Sequence, residues 1–188
     1  MGHSRVSKQQ SHEQIVSTAA RCFRERGVDG ISIANLMKEA GLTHGGFYKH
    51  FESRDDLVAE ALDHALQSSS KRYAAMAPLT LDAFIDNYLS AEHRDSPGDG
   101  CAMAALVNDV GRGREDSRAL YSAQFNRSLA RISAMLEAEN GDAAGEKAAL
   151  LLSTLVGALG IARALDDEAQ SNALLATVRK QLLSAVKN

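Results

Sequence analysis

A short stretch of this chain gathers the side chains best suited to gripping a polyanion. Thr43, His44, Tyr48, Lys49, His50 and Arg54 fall within a dozen positions, interrupted by the pair Gly45-Gly46. Lysine, arginine and tyrosine donate hydrogen bonds to phosphate oxygens, and a histidine ring can donate to or accept from a base edge. Two consecutive glycines in a helix cost about 1 kcal/mol each relative to alanine. Such a loss makes physical sense where the missing β-carbons let a backbone approach another surface closely. A turn placed one residue later is the alternative reading of the same pair.

The elements that must position these groups are helical. From His12 to Arg26, Ile15, Ala19, Cys22 and Phe23 recur at three- and four-residue steps and predict a helix with one buried face, stopped by Gly27. Ser32 can cap a second, short helix over Ile33–Ala40, with Leu36 and Met37 facing inward and Gly41 as its stop. Only Leu42 and Thr43 then separate it from a third segment, His44–Phe51, anchored by Phe47 and Phe51 four residues apart. Two short helices around a glycine-containing turn make a helix-turn-helix, whose second helix enters the DNA major groove. Ser53-Arg54-Asp55-Asp56 opens a fourth helix with a capping-box pattern, and Arg54 in its first turn is placed to reach a phosphate.

These residues resemble the DNA-binding signature of the TetR family. Ile31-Ser32-Ile33 through Gly41-Leu42-Thr43, then Gly46-Phe47-Tyr48-Lys49-His50-Phe51 and Ser53-Arg54-Asp55-Asp56-Leu57, carry the resemblance, which covers about residues 12 to 60. It implies that Ser32 caps the second helix against a phosphate. Thr43, His44, Gly45 and Gly46 would open the recognition helix, and Tyr48, Lys49, His50 and Arg54 would contact the DNA backbone. It also implies a dimer on double-stranded operator DNA that regulates transcription, usually as a repressor released by a small molecule.

Bulk properties agree with this reading. With 188 residues, 45% of them hydrophobic, two prolines, no Trp and 5% aromatics, the expectation is an all-α fold. It comprises a three-helix helix-turn-helix unit and a C-terminal helical bundle, about nine helices in all, divided as residues 1–52 and 53–188 with the fourth helix as connector. Residues 1–54 hold eight Lys/Arg against five Asp/Glu, whereas the rest of the chain is acidic and the total charge is -3. Cys22 and Cys101 form neither a disulfide framework nor a zinc or redox pair, which suits a reducing cytoplasm. The uncharged stretch from Ala148 to Ala162 is shorter than the roughly 20 residues a bilayer requires and predicts a buried helix.

In the remaining two thirds, the patterning predicts helices at Arg54–Ala75, Leu81–Ala91, Glu115–Glu139, Glu146–Leu165 and Glu168–Val186. Pro78 breaks the first of these runs, His93–Gly100 reads as loop, another helix starts near Cys101, and Asn140-Gly141 acts as a cap. The last two helices resemble the family's dimer interface, with Leu151, Leu155, Ala158, Leu159, Leu174, Leu175, Val178 and Leu182 as candidates. A pocket for a small apolar or amphipathic effector would draw on Tyr88, Cys101, Met103, Leu106, Val107, Phe125, Leu129 and Leu155. Cys101 stands at a loop-to-helix junction, where backbone N–H groups lower a thiol pKa. That position allows an alternative reading as a redox or electrophile sensor. A DNA-bound scaffold is a further alternative. His93, Asp95, Asp109, Arg112 and Arg163 make no nucleophile elbow, phosphate loop or metal-ligand spacing, so neither an enzyme, a metal nor a cofactor is expected.

Overall fold

The computed structural model describes residues 2–75, 80–140 and 144–186, all of whose regular structure is helical. The expected Pro78 break and the Gly141 cap lie outside the described residues. Helix α1 spans Gly2–Arg26. It begins well before His12 because the preceding residues contain no breaker, and Gln9 and Ser11 add i,i+4 hydrogen bonds to Glu13 and Ser7. Gly27 ends it at φ 77°, a left-handed conformation that glycine reaches without a β-carbon clash. A 3-10 turn over Val28–Gly30 leads to α2, Ile33–Glu39, whose Ser32 cap accepts the Asn35 N–H at 3.3 Å.

The segment His44–Lys49 is 3-10 rather than the expected α-helix. Six residues containing two glycines cannot support an i+4 ladder of any length, and the tighter Gly46 N–H to Thr43 carbonyl and His50 N–H to Phe47 carbonyl bonds take its place. Helix α3, Arg54–Ala75, starts on a reciprocal capping box. The Ser53 N–H donates to Asp56 Oδ2 at 2.9 Å, and the Asp56 N–H donates to Ser53 Oγ at 3.1 Å.

The expected Leu81–Ala91 helix divides into α4, Leu81–Tyr88, and α5, Ala91–Asp95. Ser90 accepts the His93 N–H and starts a new helix where a loop was expected, and Pro97 stops it with a 3-10 turn over Pro97–Asp99. Cys101 then stands at the N-terminal boundary of α6, Ala102–Arg112, with Ser69 of α3 rather than the thiol accepting the Ala102 N–H. Helices α7 (Glu115–Asn140), α8 (Ala144–Ala164) and α9 (Glu168–Val186) complete the bundle. Helix α8 is long and apolar enough to cross a membrane by length and composition alone, but it packs along α7 and α9. One apolar core runs from Ile15 in α1 to Leu182 in α9, so α1 rests directly on α3 and α6.

Candidate nucleic-acid interface

The side chains that could meet DNA are displayed by a rigid scaffold beneath them. Phe47 is fully buried and Phe51 nearly so, their rings stacked at 5.4 Å, and Phe51 stacks on His12 of α1 at 4.7 Å. With these rings fixed in the core, Ser32, Thr43, His44, Gly45, Tyr48 and Lys49 are turned outward, Tyr48 being 69% exposed. The Tyr48 ring meets Phe47 edge-on at 5.1 Å, which holds the phenol upright on the surface.

Neither Gly45 nor Gly46 has a positive φ, and a β-carbon at Gly45 would meet no atom within 4 Å. A β-carbon at Gly46 would make only ordinary contacts with Met37 and Thr43, at 3.6 and 3.7 Å. The fold itself therefore imposes no need for glycine at either position. The alternative of a displaced turn, which would have explained the pair conformationally, is not what the backbone adopts.

Two of the expected contact residues are placed differently. Arg54 turns inward: its Nη2 donates to the carbonyls of Val28, at 2.5 Å, and Ile31, at 3.0 Å. The carbonyls after a helix end need donors, and Arg54 supplies them, so it braces the turn between α1 and α2. His50 is half-buried against His12 and Phe51. Burial lowers its pKa, with the nearby His12, Lys8 and Lys49 adding to the effect.

Three further residues fix the unit and were not foreseen from the sequence. Glu39 of α2 accepts from Arg26 at 2.6 Å, Arg21 at 2.9 Å and the Cys22 thiol at 3.2 Å, all on α1. The two guanidinium groups hold its carboxyl down at about 2, while burial and the Glu39 carboxylate push the Cys22 thiol up to about 11. Gln14 donates to the carbonyl of Ala40, the C-cap of α2, at 2.9 Å, and Asp109 of α6 accepts the Val28 N–H at 3.1 Å. The i,i+4 spacing of Arg21 and Glu25 is the one local signal that marks this cluster; the long-range partners leave none.

An HTH-type transcriptional regulator of Mycobacterium tuberculosis (strain ATCC 25618 / H37Rv), Rv0196, is 32% identical over 174 residues, covering 82% of this chain and 85% of the relative. The family model for bacterial regulatory proteins of the tetR family matches residues 15–61. The chain belongs to the TetR family. A second relative, the HTH-type transcriptional repressor KstR2 of Rhodococcus jostii (strain RHA1), is 24% identical over 115 residues, or 60% of this chain and 56% of that protein. Among solved structures, a TetR transcriptional regulator from Chloroflexus aurantiacus J-10-FL superposes with a TM-score of 0.78 at 23% identity, covering 94% of this chain and 96% of that one. The reduced form of Escherichia coli NemR superposes at 0.74 and 19% identity, covering 92% and 95%. These two likenesses show the fold. This chain is thus a TetR-family helix-turn-helix regulator of transcription.

Outside the DNA-reading unit, the expected pocket residues of this TetR-family chain scatter. Tyr88, Cys101 and Met103 line one cavity together with Tyr73, Phe84, Gln124 and Arg131. That cavity is small, about 30 Å³, and aromatic: Tyr73 and Tyr88 stack at 6.2 Å and the Arg131 guanidinium lies 5.3 Å over the Tyr73 ring. Burial raises the pKa of both phenols, so they stand as neutral donors. The Tyr88 hydroxyl has no nitrogen or oxygen partner among the described residues and faces the Cys101 thiol, itself only 5% exposed. Leu106 lines a different cavity nearer the helix-turn-helix, Val107 lies on an open outer groove, Leu155 is core, and Phe125 and Leu129 are half-buried beside it.

The expected dimer residues divide by face. Leu151, Leu155, Ala158, Leu159, Leu175 and Leu182 are buried inside the protomer, where they hold α8 and α9 to the core. Leu174 and Val178 are half-buried. What α8 turns outward is Leu150, 68% exposed, Gly157 and Ile161, 56% exposed, at steps of seven and four residues. A helix apolar on all sides has two apolar faces; the pattern gave both but not which one looked outward.

Proposed function

We propose that this regulator is a ligand-released repressor that binds operator DNA as a homodimer through the surface Ser32, Thr43, His44, Gly45, Gly46, Tyr48 and Lys49. The observation that carries the reading is the anchored 3-10 segment: Phe47 and Phe51 hold it while Gly45, Tyr48 and Lys49 face outward. Lys49 and Tyr48 supply phosphate donors, His44 a base-edge group, and the bare Gly45 backbone a close approach to the groove. Arg54 and His50 act beneath this surface as positioning residues.

Residues 1–52 form the DNA-binding domain and residues 53–188 the sensing and dimerisation domain, with α3 as connector. The outward stripe of Leu150, Gly157 and Ile161 suits a self-complementary helix pairing, which a two-fold operator requires. The cavity at Tyr73, Tyr88, Met103 and Arg131 is the effector pocket of this reading. At about 30 Å³ it must open further to admit an aromatic ring, and its single guanidinium and neutral phenols favour a ligand bearing an acceptor or anionic group. The protein acts in the cytoplasm without an enzymatic step or a bound cofactor.

Fluorescence anisotropy on DNA from upstream of the protein's own coding sequence tests this, repeated with a panel of aromatic acids and ketones. Saturable binding that one of these ligands weakens supports the repressor reading. Binding that no ligand alters favours a DNA-bound scaffold.

A further inference from the structure

Beneath the helix-turn-helix unit lies a second cavity, of about 230 Å³, that the proposed function does not use. Its lining comes from both parts of the molecule: Phe23 and Val28 from the end of α1 and the turn after it, Val58 and Leu62 from α3, and Leu106 and Asp109 from α6. Phe23, Leu62 and Leu106 are buried and make an apolar floor, whereas Val58 and Asp109 are half-buried at its wall. An apolar cavity of about 150 Å³ admits benzene, so this one has room for one aromatic ring carrying a small polar head.

The polar wall has an unmatched charge. Asp109 Oδ1 accepts the Val28 N–H at 3.1 Å, and neither Asp109 oxygen is paired with a cation among the described residues. Two guanidinium groups in the lining point their donors elsewhere: Arg54 keeps its charge but donates to the neutral carbonyls of Val28 and Ile31, and Arg114 is paired with Asp55 and Asp116. Arg112 and Asp29 are exposed at the mouth, where water and salt screen them. A half-buried carboxylate with no cation at ion-pair distance is where a cationic hydrogen-bond donor gains most, because the pair forms partly out of water.

We propose that this cavity is a ligand site for a small flat organic cation, an aryl amidine or arylmethylamine in class. Its ring would rest on Phe23, Leu62 and Leu106 while its cationic head hydrogen-bonds Asp109. The site touches both α6 and the turn that leads into α2, and Asp109 is the α6 side chain that holds that turn at Val28. A ligand seated there displaces the turn relative to α6, and with it the DNA-reading segment. The coupling to DNA rests on the operator-binding reading; occupancy of the cavity does not.

Benzamidine is the probe, with benzoate as the matched anion, titrated by calorimetry into the complete chain without DNA. Benzamidine binds saturably, and benzoate binds about ten-fold more weakly or less, as the loss of a charged hydrogen bond requires. Asp109→Asn keeps an oxygen for the Val28 N–H but removes the charge, and it weakens benzamidine about ten-fold. Val58→Phe fills the cavity edge and weakens it by a similar factor of about ten. Equal binding of benzoate, or an unchanged benzamidine affinity in either variant, overturns the site.

Anisotropy on operator DNA reads the coupling. Benzamidine at about ten times its wild-type dissociation constant lowers wild-type DNA affinity about five-fold or more and that of Asp109→Asn about two-fold or less, whereas an unmoved wild-type affinity overturns the coupling. If the protein binds no operator under any condition while calorimetry still shows Asp109-dependent binding, the operator reading fails and the site stands.

Discussion

Replacing Gly45 by alanine separates what the fold needs from what DNA needs. A β-carbon built on Gly45 meets nothing within 4 Å, and the residue does not occupy the left-handed region, so the folded protein accommodates the methyl group without strain. Alanine also restricts the unfolded chain, which at a compatible position stabilises by about 0.4–1 kcal/mol. For a protein of this length that raises the melting temperature by roughly 1–4 °C. If the bare backbone lies against the groove, however, the same methyl is an overpacking defect in the complex, costing about 1–3 kcal/mol, or roughly 5- to 140-fold in affinity. Thermal unfolding followed by circular dichroism and anisotropy on the operator measure the two halves separately. A Gly45→Ala protein that melts no lower than wild type yet binds DNA at least several-fold more weakly fits the reasoning. Undiminished DNA affinity refutes the close approach, and a lowered melting temperature refutes the account of the fold.

Other consequences follow from the residues beneath the surface. Arg54→Ala removes two charged hydrogen bonds to Val28 and Ile31 and should cost about 2 kcal/mol and roughly 4–8 °C of melting temperature. It should leave the salt dependence of DNA binding unaltered, and a shallower salt slope with unaltered stability would return Arg54 to the phosphate. Burial holds His93 down to about 4, its Nδ1 donating to the Tyr88 carbonyl and its Nε2 accepting the Cys101 N–H. Its folded pKa lies below its unfolded value of about 6.5, so the unfolded chain binds the proton first as pH falls. The His93 contribution is whole above about pH 6.5, is lost progressively down to about pH 4, and is on the order of 3 kcal/mol at most. Urea unfolding across that window should show a shallower pH slope for His93→Gln; an unchanged slope would contradict the assignment. Ile161→Asp, on the outward face of α8, should weaken self-association by about 2 kcal/mol, roughly 30-fold, without lowering helix content. Sedimentation showing an intact dimer would remove Ile161 from the interface.

Much of this was legible in the sequence because it is local. The α2 stop at Gly41, the Ser32 cap, the capping box at Ser53 and the full spans of α3 and α9 are encoded by side chains acting within four residues of themselves. The anchors Phe47 and Phe51 and the outward Tyr48 and Lys49 followed from spacing alone. What the sequence hid depends on partners far along the chain. Arg54 reads as a surface cation until the carbonyls of Val28 and Ile31 stand beside it, and Glu39 and Asp109 show their roles only once α1 and α6 have packed. The faces of α8 were hidden for a different reason. In α8 nearly every position is apolar, so periodicity could not tell the face that meets α7 and α9 from the one left open at Leu150 and Ile161.

The most direct test of the account is the salt dependence of operator binding for wild type and Lys49→Ala, measured by anisotropy from low to moderate potassium chloride. The account predicts specific binding whose log affinity falls linearly with log salt, and a slope about 0.9 shallower in the variant, the loss of one released counterion. Identical slopes, or affinity for operator no greater than for scrambled DNA of the same length, would contradict it.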